Sequence, residues 1–464
     1  MKICQIYIKG FQQFENTFLD FTHPETGEPV DKVCLIGKNG TGKTTILKIV
    51  NSFFGYWRNP KFTKAYNKKI SEIPFLAFKI KIDNVFYFLL KNSNQIRLYR
   101  DSDFFNKIWK ELIELPKTDM LNNNYLKNPV FLENEVSDNV KEELFEKIRF
   151  HDDGNDLLIY SPSESTSNSY YNIKDVPETN VNDALRYFDK FPYYHEVSDA
   201  KVQDFWKMMV YHVKKRDSEQ QEYENKPENL HKTKQQLIEE FEKINPKFLT
   251  KLADLWNKIL DKAGLEFDVE NASNPIHLND NLKAYIVLKG SKKRIQYSEL
   301  STGIRNYIFR VGHIYSLFFN RAIDKGFLLL DEPENSLFPD FLFELIETYA
   351  GLMVDKTGEN HSQMFMATHN PIIAAQFEPY ERIILEWEKD GTVTASKGKT
   401  PVGDDPNDIL KNDFGLESLM GKKGILMWEK YLKLKKQLRK DMEKSEKMAL
   451  VEEVSKIGSD YNFE

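Results

Sequence analysis

The segment GKNGTGKT, from Gly37 to Thr44, constrains the possible folds of this chain more than any other stretch. It follows the apolar run KVCLI and precedes TTILKIVNSFFGYW, which predicts a strand, a glycine-rich loop and a helix in that order. Backbone N–H groups of such a loop surround phosphates, Lys43 neutralises β and γ oxygens, and Thr44 offers a hydroxyl to Mg²⁺. The predicted phosphate-binding residues are Gly37, Lys38, Asn39, Gly40, Thr41, Gly42, Lys43, Thr44 and Thr45.

A second motif, GFLLLDEPENSLFPD at 326–340, predicts a buried strand that ends in two adjacent carboxylates. Burying two acids side by side costs several kcal/mol unless a metal ion or hydrogen-bond donors compensate. Asp331 is therefore predicted to hold Mg²⁺ through water, and Glu332 to orient and deprotonate an attacking water. The alternative is a solvated pair that merely ends a strand, and the loop at Gly37 favours the functional reading.

A third motif, QMFMATHNP, places His369 just beyond another apolar strand. A single histidine in that position is commonly a hydrogen-bonded structural residue. If this strand lies next to the one that carries Asp331, the imidazole can reach a γ-phosphate or the attacking water. We therefore predict that His369 is catalytic together with Glu332.

The stretch QYSELSTGIRNYIF, at 296–309, contains a small-residue turn that runs into an apolar-periodic segment. Ser or Thr before a helix satisfies unpaired backbone N–H groups, so Ser301 is predicted to cap the helix. The sequence allows two roles for Ser301 and Gly303. They either only start a helix or form half of a site completed by another chain.

Composition excludes several classes of protein. With 464 residues the chain is long enough for a sizeable core, and its net charge of −6 means that any nucleic-acid contact must come from a local patch. Its two cysteines, Cys4 and Cys34, lie in apolar runs and are predicted to be buried thiols. Neither a signal peptide nor a membrane span is evident, so we expect a cytoplasmic protein with no membrane partner.

The chain divides into two core segments, an insertion and a tail. Residues 1–100 and 280–397 alternate apolar strands with amphipathic helices and predict an α/β core with a mixed sheet, including a hairpin turn at Asp83–Asn84. Residues 101–279 predict a mostly helical insertion, with helices at 196–213 and 231–260. Residues 398–464 predict a basic helical tail, one helix running from about residue 424, that either packs on the core or docks a partner.

Together, these motifs resemble the ABC-type P-loop ATPases, particularly the branch that includes SMC, RecF and OLD-like proteins. The resemblance covers roughly residues 1–100 and 280–397 and rests on GKNGTGKT, LSTG, LLLDEP and ATHNP in that order. It implies an ATPase that uses ATP and Mg²⁺ in a homodimer, or a higher even oligomer, with composite ATP sites. Ser301 and Gly303 would then close over the γ-phosphate held by another subunit, and ENSLFPD would contact the partner.

Two departures from the family pattern are present. Arg305-Asn306 replaces the Gln-Gln that follows the signature glycine in transporters, and the glutamine that usually contacts Mg²⁺ has no clear position, Gln95 being one candidate.

The short insertion and the absence of a recognisable nuclease motif in the tail resemble the stand-alone ATPase subunits of bacterial antiphage systems, such as PtuA of Septu and retron-associated systems or AriA of PARIS. That resemblance implies an ATPase without nuclease activity of its own, which senses infection and regulates a separately encoded nuclease or toxin. A phage protein or nucleic acid would be a further partner. Two alternatives remain open at this stage, a DNA-repair or recombination ATPase that acts directly on DNA and a scaffold with vestigial ATPase activity.

Overall fold

A computed structural model describes the fold over most of the chain. The residues that it describes are 1–58, 72–92, 95–100, 156–163, 194–196, 216, 218–245, 248–268, 286–295, 299–321, 325–354, 360–402, 405–438 and 443–463. The predicted helix at 196–213 lies outside these residues except for its first position, Glu196, which ends a short strand. No helix within the described ranges combines the length and apolar composition needed to cross a membrane.

The described strands and helices follow one another as strand-rich and helix-rich blocks. The strands are β1 Lys2–Phe11, β2 Phe14–Asp20, β3 Lys32–Gly37, β4 Phe75–Ile82, β5 Val85–Asn92, β6 Gln95–Arg100, β7 Asp156–Ser161, β8 Tyr194–Glu196, β9 Leu265–Phe267, β10 Ile286–Leu288, β11 Arg294–Ile295, β12 Lys325–Asp331, β13 Gln363–Ala367, β14 Arg382–Trp387 and β15 Val393–Lys397. The α-helices are α1 Lys43–Arg58, α2 Lys234–Ile244, α3 Phe248–Leu260, α4 Thr302–Arg321, α5 Leu345–Gly351, α6 Pro371–Ala374, α7 Pro406–Asn412, α8 Lys422–Gln437 and α9 Lys444–Tyr461.

A seven-stranded mixed sheet carries the predicted phosphate-binding loop. Its order is β15-β14-β3-β13-β12-β7-β8, and all neighbours pair in parallel except the edge strand β15. Central strands such as β3 and β13 are almost entirely buried, as their near-continuous apolar sequences require for a sheet covered on both faces. The parallel direction brings the carboxyl ends of β3, β13, β12 and β14 to one edge of the sheet.

A second sheet takes up most of the N-terminal strands. It has the order β2-β1-β4-β5-β6 and is antiparallel throughout. Between the sheets, Phe54 of α1 contacts Phe78 of β4 and Phe327 of β12, with ring centroids 5.3 and 5.2 Å apart, so one core joins both sheets. The turn at Asp83–Asn84 is confirmed, since both residues adopt positive φ between β4 and β5.

Within residues 1–404 the structure differs from the sequence-based organisation in three places. Strand β7 lies inside the predicted helical insertion but pairs with β12 in the main sheet. Strands β10 and β11, predicted as part of the core, instead form a small antiparallel sheet with β9. The predicted helix at 231–260 is two helices, α2 and α3. The partner of β7 is far away in the sequence and leaves no local signal, which explains the first difference.

Residues 405–464 form a compact unit of their own, separate from residues 1–404. The single tail helix expected from the sequence was wrong, because the unit contains α7 and two longer helices, α8 and α9. One apolar face of α8 packs on α9. Buried Tyr431 packs with Val454 and Ile457 of α9, and partly buried side chains surround them, namely Met427, Trp428, Leu434, Leu438, Tyr461 and Phe463.

Candidate functional site

Three neighbouring parallel strands present the predicted active-site residues at their carboxyl ends. Asp331 ends β12 in register with Ala367 of β13, and Ala367 in turn pairs with Leu35 of β3. The loop that follows β3 therefore lies beside the segments that carry Glu332 and His369. Carboxyl ends of parallel strands are where α/β sheets bind ligands.

The phosphate-binding loop has the local geometry that its sequence predicts. Gly42 has φ of 99°, and a Cβ there would lie 2.2 Å from Cζ of Phe14, so only glycine fits. Residues 38–40 are exposed, whereas Thr41 and Lys43 are buried. The Lys43 ammonium donates to the carbonyl of Gly37 at 2.8 Å. Burial lowers the pKa of Lys43, and the nearby carboxylates of Glu332, Asp331 and Glu334 oppose that shift.

Asp331 and Thr44, which the sequence predicts to hold Mg²⁺, are in contact. The Thr44 hydroxyl lies 2.9 Å from both carboxylate oxygens of Asp331, which is only 1% exposed. Burial raises the pKa of Asp331, so the anionic carboxylate is poorly solvated and a cation would compensate it. A hydroxyl and a carboxylate are oxygen ligands of the kind that Mg²⁺ prefers, with phosphate oxygens and water in its remaining positions. The two residues therefore fit the ion.

Glu332 and His369 are in direct contact. The imidazole Nε2 of His369 forms an ion-pair contact with Oε1 of Glu332, and the amide of Asn335 donates to Oε2 at 3.0 Å. Glu332 has φ of 44°, in the left-handed region that a residue with a side chain rarely adopts. Its N–H donates to the carbonyl of Ala367 at 2.9 Å, which fixes this strained turn to β13. His369 and Asn335 thus hold the carboxylate of Glu332, and Ala367 holds its backbone.

Sequence reasoning missed Arg310, whose role depends on helix packing and has no local signal. This buried guanidinium of α4 donates to the carbonyl of Glu332 at 3.3 Å and to the carbonyls of Pro162 and Ser163 at 2.7 and 3.0 Å. It therefore holds the strained Glu332 backbone against the end of β7.

Sequence reasoning also missed Glu334 and Thr368, although both lie within quoted motifs, DEPEN and ATHNP. The Thr368 hydroxyl donates to Oε1 of Glu334, which joins the segment after Asp331 to the segment before His369. Glu334 is only 7% exposed, and its Oε2 has no hydrogen-bond partner among the residues that the structure describes. This contact fixes the spacing of the two segments that carry Glu332 and His369.

Glu334 makes the stability of the protein depend on pH. Burial raises its pKa from 4.5 to about 7, so the folded state favours the protonated form. The protonated Glu334 stabilises the folded state fully below the ordinary pKa of 4.5. As the pH rises through the folded-state pKa of about 7, on the order of 3 kcal/mol of this stabilisation is lost. We expect the apparent melting temperature to fall less between pH 5.5 and 8 in Glu334→Gln than in the wild type. Glu347→Gln, at an exposed position, is the control and should keep the wild-type slope.

Ser301 and Gly303, which the resemblance predicts to act on another subunit, also make contacts within their own chain. The hydroxyl of exposed Ser301 accepts from the N–H of Ile304 at 3.4 Å, so it lies at the start of α4 as a long helix cap. Gly303 lies against the segment after Glu332, because a Cβ there would be 1.9 Å from the carbonyl oxygen of Ser336. The two motifs LSTG and DEPENS therefore pack together within one chain. Gln95, the candidate Mg²⁺-contacting glutamine, begins β6 and pairs with Asn92.

A strand, a phosphate-binding loop and a helix, with an acidic strand end beside them, define a P-loop ATPase. The family model of the AAA ATPase domain matches residues 1–374. The chain therefore belongs to the AAA ATPase domain family. A search of curated proteins found no match.

Proposed function

We propose that this chain binds ATP with Mg²⁺ and hydrolyses it to ADP and phosphate at the edge of the seven-stranded sheet. The observation that supports this most directly is the convergence of Lys43, Thr44, Asp331, Glu332 and His369 on three adjacent strand ends. When bound, Mg²⁺ would neutralise negative charge on the phosphate oxygens. Thr44 and Asp331 would hold it.

In this proposal Glu332 is the general base. Its carboxylate orients the attacking water and accepts a proton from it, while His369 contacts the same carboxylate and can reach the γ-phosphate. Asn335 and Arg310 keep Glu332 in place through its side chain and its carbonyl respectively. Lys43 stabilises negative charge on the transferred phosphoryl group.

We also propose that the ATPase dimerises around ATP and that each site is completed by α4 of the other subunit. Two observations support this. Ser301 is exposed at the start of α4, where backbone N–H groups attract an anion. Beside it, the segment packed on Gly303 leads to Phe338, a large apolar side chain that is 67% exposed. An exposed aromatic next to an exposed anion-binding helix start suits an interface with a second copy.

Ser301→Arg tests the composite site. A bulky cation at position 301 should block approach of the second subunit. Because this position is at the start of α4 and outside the phosphate-binding loop, ATP binding to the same chain should be little affected. We expect ATP affinity within about threefold of the wild type, well under the tenfold change that about 1.4 kcal/mol would produce. Hydrolysis and ATP-dependent dimerisation should be lost. Calorimetric ATP titration and light scattering measure the two properties. Ser301→Thr keeps the hydroxyl cap and serves as control. Equal loss of binding and hydrolysis in Ser301→Arg would mean that Ser301 serves its own fold.

The insertion is connected to the motifs that would move on closure. The indole N–H of Trp256 in α3 donates to the carbonyl of Ile308 in α4 at 3.1 Å, and the Tyr307 hydroxyl donates back to the carbonyl of Leu255 at 2.7 Å. Lys262, just after α3, donates to the carbonyl of Asp340 and forms an ion pair with Glu344, both at 3.1 Å. Movement of α4 or of the segment after Glu332 would therefore displace α3.

We propose that this ATP-dependent displacement regulates a separately encoded nuclease or toxin in antiphage defence. The resemblance of the motif set and the short insertion to stand-alone antiphage ATPases supports the proposal. The test is co-purification of the full-length protein with the products of adjacent genes, with and without ATP. Recovery of an ATP-sensitive complex with a nuclease or toxin would support the regulator, and its failure to form would count against it.

The second candidate is a repair or recombination ATPase that acts on DNA directly. The observation in its favour is the charge of α8, which contains six lysines and one glutamate. A basic helix suits a phosphate backbone. Stimulation of ATP hydrolysis by duplex DNA in the purified protein alone would favour this candidate. Unchanged hydrolysis with DNA would favour the regulator.

A further inference from the structure

Trp387 is a half-exposed aromatic side chain beside the phosphate-binding loop. It is the last residue of β14 and is 44% exposed. A Cβ built on Gly40 would lie 3.6 Å from Cζ2 of its indole, which is ordinary van der Waals contact. The ring therefore flanks the exposed part of the loop.

The sheet order indicates which end of the nucleotide Trp387 faces. The groups that would act on the terminal phosphate lie at the ends of β13 and β12, on one side of β3. Strand β14 lies on the other side of β3, and its Leu385 pairs with Gly37, the first residue of the loop. Trp387 follows Leu385 by two residues and therefore lies level with the loop. A triphosphate whose terminal phosphate lies beside Glu332 directs its ribose and base away from β12, toward the side of β14.

The turn between β1 and β2 closes the same side of the loop. The amide Nε2 of Gln13 donates to the carbonyl of Gly40 at 3.1 Å. The carbonyl of Gln13 accepts from the N–H of Val393 at 2.9 Å, which ties this turn to β15. The loop, the turn at Gln13 and the hairpin that carries Trp387 therefore form one connected surface with an aromatic face.

We propose that the Trp387 indole is the stacking surface for the base of the bound nucleoside triphosphate. The proposal rests on the proposed ATP site and adds the subsite for its base. Every nucleobase has a π-face, so stacking alone contributes affinity with little discrimination between bases. Gln13 positions the loop through its bond to Gly40, and no base-specific polar contact is assigned to it.

The test compares ligands with and without a base. Binding of a non-hydrolysable ATP analogue and of inorganic tripolyphosphate, each with Mg²⁺, is measured by calorimetry in the full chain. Trp387→Ala should weaken binding of the ATP analogue by about 5- to 150-fold, the range that one base–aromatic stack contributes. Tripolyphosphate affinity should stay within twofold. Trp387→Phe should restore most of the loss, and Lys389→Ala, an exposed position in the same hairpin, should bind both ligands like the wild type.

Three results would overturn the proposal. Unchanged affinity of Trp387→Ala for the ATP analogue would show that the base lies elsewhere. Equal weakening of analogue and tripolyphosphate would mean that Trp387 supports the loop itself. If the wild-type chain bound neither ligand, the proposed ATP site would fail, and the base subsite with it, a result distinct from the first two.

Discussion

Lys43→Ala is expected to abolish ATP binding at millimolar nucleotide. The Lys43 ammonium is buried and donates to two carbonyls of the phosphate-binding loop, those of Gly37 at 2.8 Å and Lys38 at 3.4 Å. Its removal takes away a positive charge close to the carboxylates of Asp331, Glu332 and Glu334, beside which the triphosphate has to bind. Each hydrogen bond to a charged group contributes about 1.5–3 kcal/mol, so loss of two phosphate contacts lowers affinity by at least about 100-fold.

Calorimetric titration with ATP and Mg²⁺ measures this effect. Lys38→Ala is the matched control, because Lys38 is predicted to bind phosphate only through its backbone N–H and its side chain is exposed, so affinity should stay within a fewfold. Thermal unfolding of both variants without nucleotide checks that the loop substitutions leave the fold intact. ATP binding by Lys43→Ala at wild-type affinity would contradict the assignment of this loop as the triphosphate site.

The sequence predicted the parts of the site whose signal is local. GKNGTGKT, LLLDEP and ATHNP each combine an apolar strand with the polar residues that follow it, and strand direction alone brings such residues to one edge of a parallel sheet. Their side chains meet as expected, since Thr44 contacts Asp331 and His369 contacts Glu332. Only the family is established by comparison, so the roles of these residues remain predictions.

What the sequence did not predict depends on contacts between distant segments. Arg310 supports Glu332 from a helix that begins near Ser301, and strand β7 joins the main sheet from within an apparently helical insertion. Trp387 ends a strand that pairs with β3, although 348 positions separate Leu385 from its partner Gly37 (385 − 37). Such pairings are decided by packing of the whole core, which no periodicity in a short window records.

Glu332→Gln is expected to separate ATP binding from ATP hydrolysis. The amide keeps the size of the carboxylate and one oxygen that can accept from Asn335, which lies 3.0 Å from Oε2 in the wild type. It cannot accept a proton from water, so hydrolysis should fall by about 10²- to 10⁴-fold, the contribution of a general base. Because Lys43, Thr44 and Asp331 are unchanged, ATP affinity should stay close to that of the wild type.

The same variant should accumulate the ATP-bound dimer, since hydrolysis no longer resets it. Light scattering after size-exclusion chromatography, with ATP and Mg²⁺ present, should give twice the monomer mass for Glu332→Gln and a smaller dimer fraction for the wild type. Glu347→Gln, which alters an exposed carboxylate on α5, should hydrolyse ATP and behave as the wild type. Turnover by Glu332→Gln at the wild-type rate would remove Glu332 as the base. Loss of turnover without a trapped dimer would retain the base and argue against closure of two subunits around ATP.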